Sequence, residues 1–163
     1  LKPTVLRGPE ATEAKLLALS PSHRILHFAT HGLLAANPLD SALVLASGDL
    51  GAGRIAGLDG LRGKVALVFL SACRSSDVAT IDGEAHSLAE AFALAGVPTL
   101  VGSLWDVDDR ATRMLVETFY KALAARSGDT LDALRSAQLA LLDTALYAEP
   151  RFWSAFQLSG DFR

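Results

Sequence analysis

The apolar positions of this chain fall into short continuous runs separated by longer amphipathic ones. "RILHFA" at 24–29, "ALVLA" at 42–46 and "PTLVGSL" at 98–104 read as strands. Val65 to Leu70 is apolar throughout. Such a run predicts a strand covered on both faces, as in a parallel sheet. Val5 and Leu6 predict the end of a short strand, and Pro9 suits the first turn of a helix carrying Leu16, Leu17 and Leu19. Ile55 to Leu58 reads as a helical turn after a Gly-rich loop. Helical spacing recurs over 84–95 with Leu88, Ala91, Phe92 and Ala95, and Gly96 suits its C-terminal end. Asp108 is placed to cap a helix bearing Ala111, Leu115, Phe119 and Ala122. Asp129 is placed to cap another, bearing Leu131, Leu134, Gln138, Leu141, Leu142 and Ala145. After Pro150, "FWSAFQLSG" reads as a last strand. Strands alternating with helices predict a layered α/β domain with a mainly parallel sheet.

Composition narrows the function classes. The 163 residues suit one domain, and half of them are apolar, enough for a substantial core. With 15 basic and 18 acidic residues the net charge is -3, and no basic cluster marks a nucleic-acid partner. No uninterrupted apolar run approaches the ~20 residues that cross a bilayer. The N-terminus lacks the order of a signal peptide, so a cytoplasmic location is expected. One cysteine excludes an internal disulfide and a Cys-rich zinc site, and it suits a reducing compartment.

That cysteine, Cys73, follows the most apolar strand, and His31 follows "RILHFAT". In open α/β sheets, sites gather outside the carboxyl ends of the strands. If the two strands are parallel neighbours, the thiol and the imidazole share one rim. An adjacent imidazole lowers the pKa of a thiol and returns a proton to a leaving amine. Gly32 lets the backbone approach a substrate, and its N–H and that of Cys73 are candidate donors to an oxyanion. Each residue also has an ordinary reading. A single Cys serves as a small apolar core residue, and a His beside a Gly is common at strand ends.

His27 lies four residues before His31, a metal pair only on a helix. On a strand the two would stand roughly 13 Å apart, so His27 is read as a hydrogen-bonded core residue. His86 is expected on a helix surface or near the site entrance, and His23 in solvent. "GDLGAGRIAG" lacks dinucleotide-binding spacing, and "LRGKVA" lacks the Ser or Thr of a phosphate-binding loop. Trp105, Asp106 and Asp108 end the strand after the one that leads to Cys73. They could wall a pocket for a substrate residue and pair with an Arg or Lys there, though Asp108 has an equal claim as a helix cap and Trp105 as core.

"HFATHG", "SALVL", "LVFLSACRSS", "GEAHSLAEAFALAGVPTLVGSLWDVDDRAT", "FYKAL", "ALRSAQLALL" and "RFWSAFQLSGDF" occur in order. At these stretches the chain resembles the CHAT domain, the caspase-related domain often joined to tetratricopeptide repeats. "LWDVDD" is also similar to separase, and "SACR" to caspases. The resemblance implies a caspase-haemoglobinase fold, α/β with a mainly parallel central sheet flanked by helices on both faces. It implies a Cys–His endopeptidase dyad at His31 and Cys73, with an oxyanion hole at the Gly32 and Cys73 amides. It implies no metal and no organic cofactor, a protein or peptide substrate, and control by a tetratricopeptide (TPR) repeat module or another regulatory partner. A bacterial role in defence or signalling belongs to the same expectation. Departures from the family pattern are Arg74 directly after Cys73, "GEA" in place of "GEG" at 83–85, and Asp106 where Pro is common. Family members carry a further strand and helix upstream of "VLRG". One CHAT domain over 1–163, short of an N-terminal strand and within a longer protein, is therefore expected. Two other readings stay open, a catalytically silent interaction module and a thiol hydrolase acting on small molecules. The polar stretch 74–83 reads as a long loop of the kind that gates a site.

Overall fold

The structure is a computed structural model that describes residues 3–33, 35, 40–71, 79–81, 84–86, 88–125 and 129–161, with the backbone alone for 79–81 and 84–86. Its central sheet contains four strands in the order β1 (Ile25–Phe28), β5 (Leu67–Leu70), β8 (Thr99–Ser103) and β9 (Phe156–Gly160). β1, β5 and β8 are parallel, and β9 returns antiparallel to β8. All four residues of β5 and all five of β8 are buried. For β5 this is what its unbroken apolar character predicts, while β8 is buried although it carries Thr99 and Ser103.

Side chains alternate across the sheet and build two cores. Leu26, Phe28, Val68, Leu70 and Leu100 face one layer. It holds α1 (Glu13–Leu19), α2 (Ala52–Ala56) and α3 (Leu88–Leu94). Ile25, Leu67, Phe69, Val101 and Phe156 face the other. It holds α4 (Asp109–Ala125), α5 (Thr130–Leu142) and α6 (Pro150–Trp153). Phe69 is fully buried at the centre of the second core, with Phe119 edge-on at 5.0 Å and Phe156 at 5.6 Å. Each such side chain contributes ~1.5–3 kcal/mol by leaving water. Ion pairs such as Arg113–Glu117 (2.9 Å) lie in solvent, where water and salt screen them. The two cores, and not the surface charges, hold the layers together.

Caps appear where the sequence places them. One carboxylate oxygen of Asp108 accepts the amides of Arg110 and Ala111, both at 2.9 Å, and Asp129 accepts that of Asp132 at 2.9 Å. Gln138, a polar residue on the inner face of α5, donates to the Phe156 carbonyl of β9 at 2.9 Å. The buried stripe of α5 comprises Thr130, Ala133, Leu134, Ala137 and Leu141, while Leu131 and Leu142 are exposed.

Several elements differ from the sequence reading. Val5 and Leu6 form no strand, and Val5 is exposed. "ALVLA" does form a strand, β3 (Ala42–Leu45), but not in the central sheet. It pairs antiparallel with β2 (Gly32–Leu33) and β4 (Gly48–Gly51). The Gly-rich loop is thus partly strand, because its backbone is recruited by β3. β6 (Ala79–Ile81) and β7 (Glu84–His86) form an antiparallel pair where a loop and a helix start were expected. The helix begins only at Leu88. Phe152 and Trp153, expected in the last strand, belong to the short α6, with Pro150 in its first turn.

The turn after β9 depends on a glycine. Gly160 has φ +93 and lies against the Pro98 carbonyl, which also accepts the Asp161 amide at 2.7 Å. A Cβ there would meet that carbonyl in a backbone region that disfavours side chains, at ~1–3 kcal/mol for the conformation alone. Gly160→Ala is expected to lower the unfolding free energy by about 2 kcal/mol or more, measured by urea titration. An unchanged midpoint would show that the strand end shifts at no cost.

Candidate active site

The site grows out of one pairing. β1 and β5 run parallel in the register Ile25–Leu67 through Phe28–Leu70, so the two strands end side by side. The ladder continues one step further, where the Ser71 amide donates to the Phe28 carbonyl at 2.8 Å. Three residues after Phe28 comes His31, and three after Leu70 comes Cys73. Cys73 itself lies outside the described residues, as does most of the stretch 74–83.

His31 is exposed, and its backbone is held on both sides. Its carbonyl accepts the Val44 amide at 2.9 Å, and the Thr30 hydroxyl donates to the Val44 carbonyl at 2.6 Å. β3 therefore fixes the chain at His31 while leaving the imidazole in solvent. The same contact orients Gly32. With Gly32 opposite Leu43 and Val44 N–H bonded to His31, the pair is of the non-hydrogen-bonded kind. In that pattern the Gly32 N–H points away from β3 instead of into the ladder.

Trp105, Asp106 and Asp108 follow β8, the strand beside β5. Asp106 and Asp108 line an open cavity of about 300 Å³ together with Arg151 and Phe152. Trp105 is 37% exposed, so it is not a core residue. Its indole donates to the Arg151 carbonyl at 3.0 Å and holds the far wall in place. Asp108 is committed as a helix cap through one oxygen. The Arg151 guanidinium lies 4.6 Å above the Phe152 ring and 3.1 Å from the Glu149 carboxylate.

His27 is hydrogen-bonded, as expected, but it stands on the edge strand and not in the core. Its Nδ1 is 3.1 Å from the Tyr120 hydroxyl and its Nε2 is 3.1 Å from the Ser71 hydroxyl. The ring stacks on Phe69 at 5.0 Å and on Tyr120 at 5.7 Å. Burial lowers its pKa to about 4 and pushes the Tyr120 phenol up. The residue as a whole reaches solvent at the sheet edge, while its ring lies against Phe69 and Tyr120. This packing keeps water away from the ring and disfavours its charged form. Ser71, Thr30 and Tyr120 are site residues that periodicity does not single out. The signal available for Tyr120 is a hydroxyl placed beside the buried Phe119 on an amphipathic helix. His23 is half-buried instead of free in solvent, bonded to the Leu19 carbonyl at 2.8 Å and near the Thr4 hydroxyl at 3.0 Å. His86 lies in β7, not on a helix.

Among the described residues no cluster of three or more His, Cys, Asp or Glu side chains could hold a metal, and no helix is long and apolar enough to cross a membrane. The His27 shift carries a pH dependence. Below the ordinary His pKa of about 6.5, an unfolded chain takes up a proton that folded His27 refuses until about pH 4. Stability should therefore fall as the pH drops through this window. The groups facing the ring are Tyr120, which stays protonated there, Ser71 and Phe69. His27→Gln is expected to flatten that part of the profile, read as urea midpoints at about pH 7 and about pH 5. Parallel profiles for the two proteins would show that the ring is solvated in the folded state.

Comparison with known proteins bears on the family and the fold. No curated protein matches the chain. Its backbone is similar to a chain in the crystal structure of the Saccharomyces cerevisiae separase–securin complex, with a TM-score of 0.64 and 19% identity. The likeness covers 91% of this chain and 9% of that one, so it concerns the fold of one part of a much longer protein. The family model of the CHAT domain matches residues 2–161. With a caspase-like sheet between two helical layers and a match over nearly its whole length, the chain belongs to the CHAT domain family.

Proposed function

We propose that this domain is a cysteine endopeptidase acting through Cys73 and His31. The in-register pairing of β1 with β5, whose ends lead to His31 and Cys73, carries the reading. His31 takes the thiol proton, and the thiolate attacks the peptide carbonyl. The oxyanion is met by the Gly32 and Cys73 amides, the first of which is turned away from β3. The imidazolium then protonates the leaving amine, and the C–N bond breaks to give a thioester. Water attacks the thioester with His31 as base, which frees the carboxylic acid and restores the thiol. Each step balances with peptide, water and the two side chains.

The cavity after β8 is the pocket for the substrate residue before the scissile bond. Trp105 braces it through Arg151. Asp108 is occupied as a cap, so Asp106 is the carboxylate that selects an Arg or Lys side chain. Arg151 works against that selection, and its contacts with Glu149 and Phe152 moderate it. The substrate is a protein or peptide in the cytoplasm. Activity is governed by an attached or separate regulatory module such as TPR repeats, in bacterial defence or signalling. The separase of the similar structure was crystallised in complex with a protein partner, securin.

The test is a peptide-library scan with an acyloxymethylketone probe. Cys73→Ala should abolish both cleavage and labelling, and His31→Ala should slow acylation by about 10²–10⁴-fold. Should the wild-type chain cut nothing even with its native partner, and its thiol react like a free one, the fold serves as an interaction module instead. Asp106→Asn is expected to lower kcat/KM on Arg- or Lys-containing peptides by about tenfold, as for a lost charge-assisted hydrogen bond. Equal losses on neutral peptides would remove Asp106 from the specificity pocket.

A further inference from the structure

His27, Ser71 and Tyr120 form a polar chain that the two-residue mechanism does not use. It joins three elements: β1, the end of β5 and α4. Ser71 is held twice to the same strand, by its amide to the Phe28 carbonyl at 2.8 Å and by its hydroxyl to His27 at 3.1 Å. A neutral imidazole has one N–H and one lone pair. It therefore donates to one hydroxyl and accepts from the other, which gives the chain of three groups a direction. An apolar residue between Phe69 and Tyr120 would fill the same space without the desolvation that lowers the His27 pKa. What it would not do is hold the Ser71 hydroxyl.

We propose that His27 is a positioning residue: backed by Tyr120, it anchors Ser71 and so fixes the point from which the chain departs β5 toward Cys73. Cys73 is two residues beyond Ser71, a reach of at most about 7 Å. With Ser71 free to drift by an ångström, the segment leading to the proposed nucleophile would start from a shifted point relative to His31, whose own backbone is held separately by Val44. Misplacement of that size can cost about 10²-fold in rate. The inference rests on the reading of Cys73 as the nucleophile, but its geometry is independent of what the thiol attacks.

The single cysteine makes the test direct, because any thiol readout reports on Cys73. Wild type, Ser71→Ala, His27→Phe, His27→Gln and the double variant His27→Phe/Ser71→Ala are first compared by thermal melting. Iodoacetamide alkylation is then followed from about pH 5 to about pH 9. Cleavage of a peptide from the library scan gives kcat and KM. Ser71→Ala and His27→Phe should each change the plateau rate or midpoint of the alkylation profile by about threefold or more. Each should lower kcat by about tenfold or more with KM within about twofold. The double variant should be no worse than either single one, because all three remove one anchor. His27→Gln, whose amide can still reach the Ser71 hydroxyl, should recover part of the rate. Alkylation profiles of folded Ser71→Ala and His27→Phe that superimpose on wild type would overturn the anchor. If wild type cleaves nothing while the profiles shift, the protease reading falls and the anchor stands. If wild type cleaves and the variants match it, the reverse holds. If His27→Phe does not fold, Ser71→Ala decides the matter alone.

Discussion

Everything at the rim of this sheet depends on the parallel ladder between β1 and β5. It sets Phe28 opposite Leu70 and ends with the Ser71 amide on the Phe28 carbonyl. A shift of one residue in that register would turn His27 and Ser71 to opposite faces and exchange the two cores. The register is held because Leu26 and Phe28 pack with Val68 and Leu70 on one side, while Ile25 packs with Leu67 and Phe69 on the other. Hydrophobic packing far below the rim therefore decides which polar groups meet at its edge.

The rim is steadied from two further directions. β3 holds Thr30 and His31 through Val44, in a small antiparallel sheet separate from the central one. On the other face α4 carries Tyr120 to His27, and its first turn is capped by Asp108 from the segment that follows β8. One carboxylate thus terminates a helix and borders the cavity after β8. The helix that carries Tyr120 to the His27 network thus starts directly after the Asp108 wall of that cavity.

Family membership and fold likeness carry different information over nearly the same residues. The CHAT match spans residues 2–161. The separase likeness, at 19% identity, speaks for the backbone alone. A caspase-like backbone places two strand ends side by side whatever side chains they lead to. The proposed chemistry thus rests on His31, Cys73 and their neighbours, not on the fold.

The sequence by itself determined the layered α/β class, the strands β5 and β8 and the burial of the first, the capped helices α4 and α5, and the two candidate reactive positions. These depend on local periodicity and on side chains that cap their own helix, so a single stretch of chain carries the signal. Only the tertiary structure decided that Ala42–Leu45 leaves the central sheet, because strand partners are chosen by distant backbone and not by the strand's own residues. It likewise turned the expected helix start at 84–86 into a strand through pairing with 79–81. His27 shows the same division. Its neighbours along the chain made it look like a core residue. Its partners, 44 and 93 positions away in sequence, meet it only when β5 and α4 pack against β1 and bring their hydroxyls to its ring.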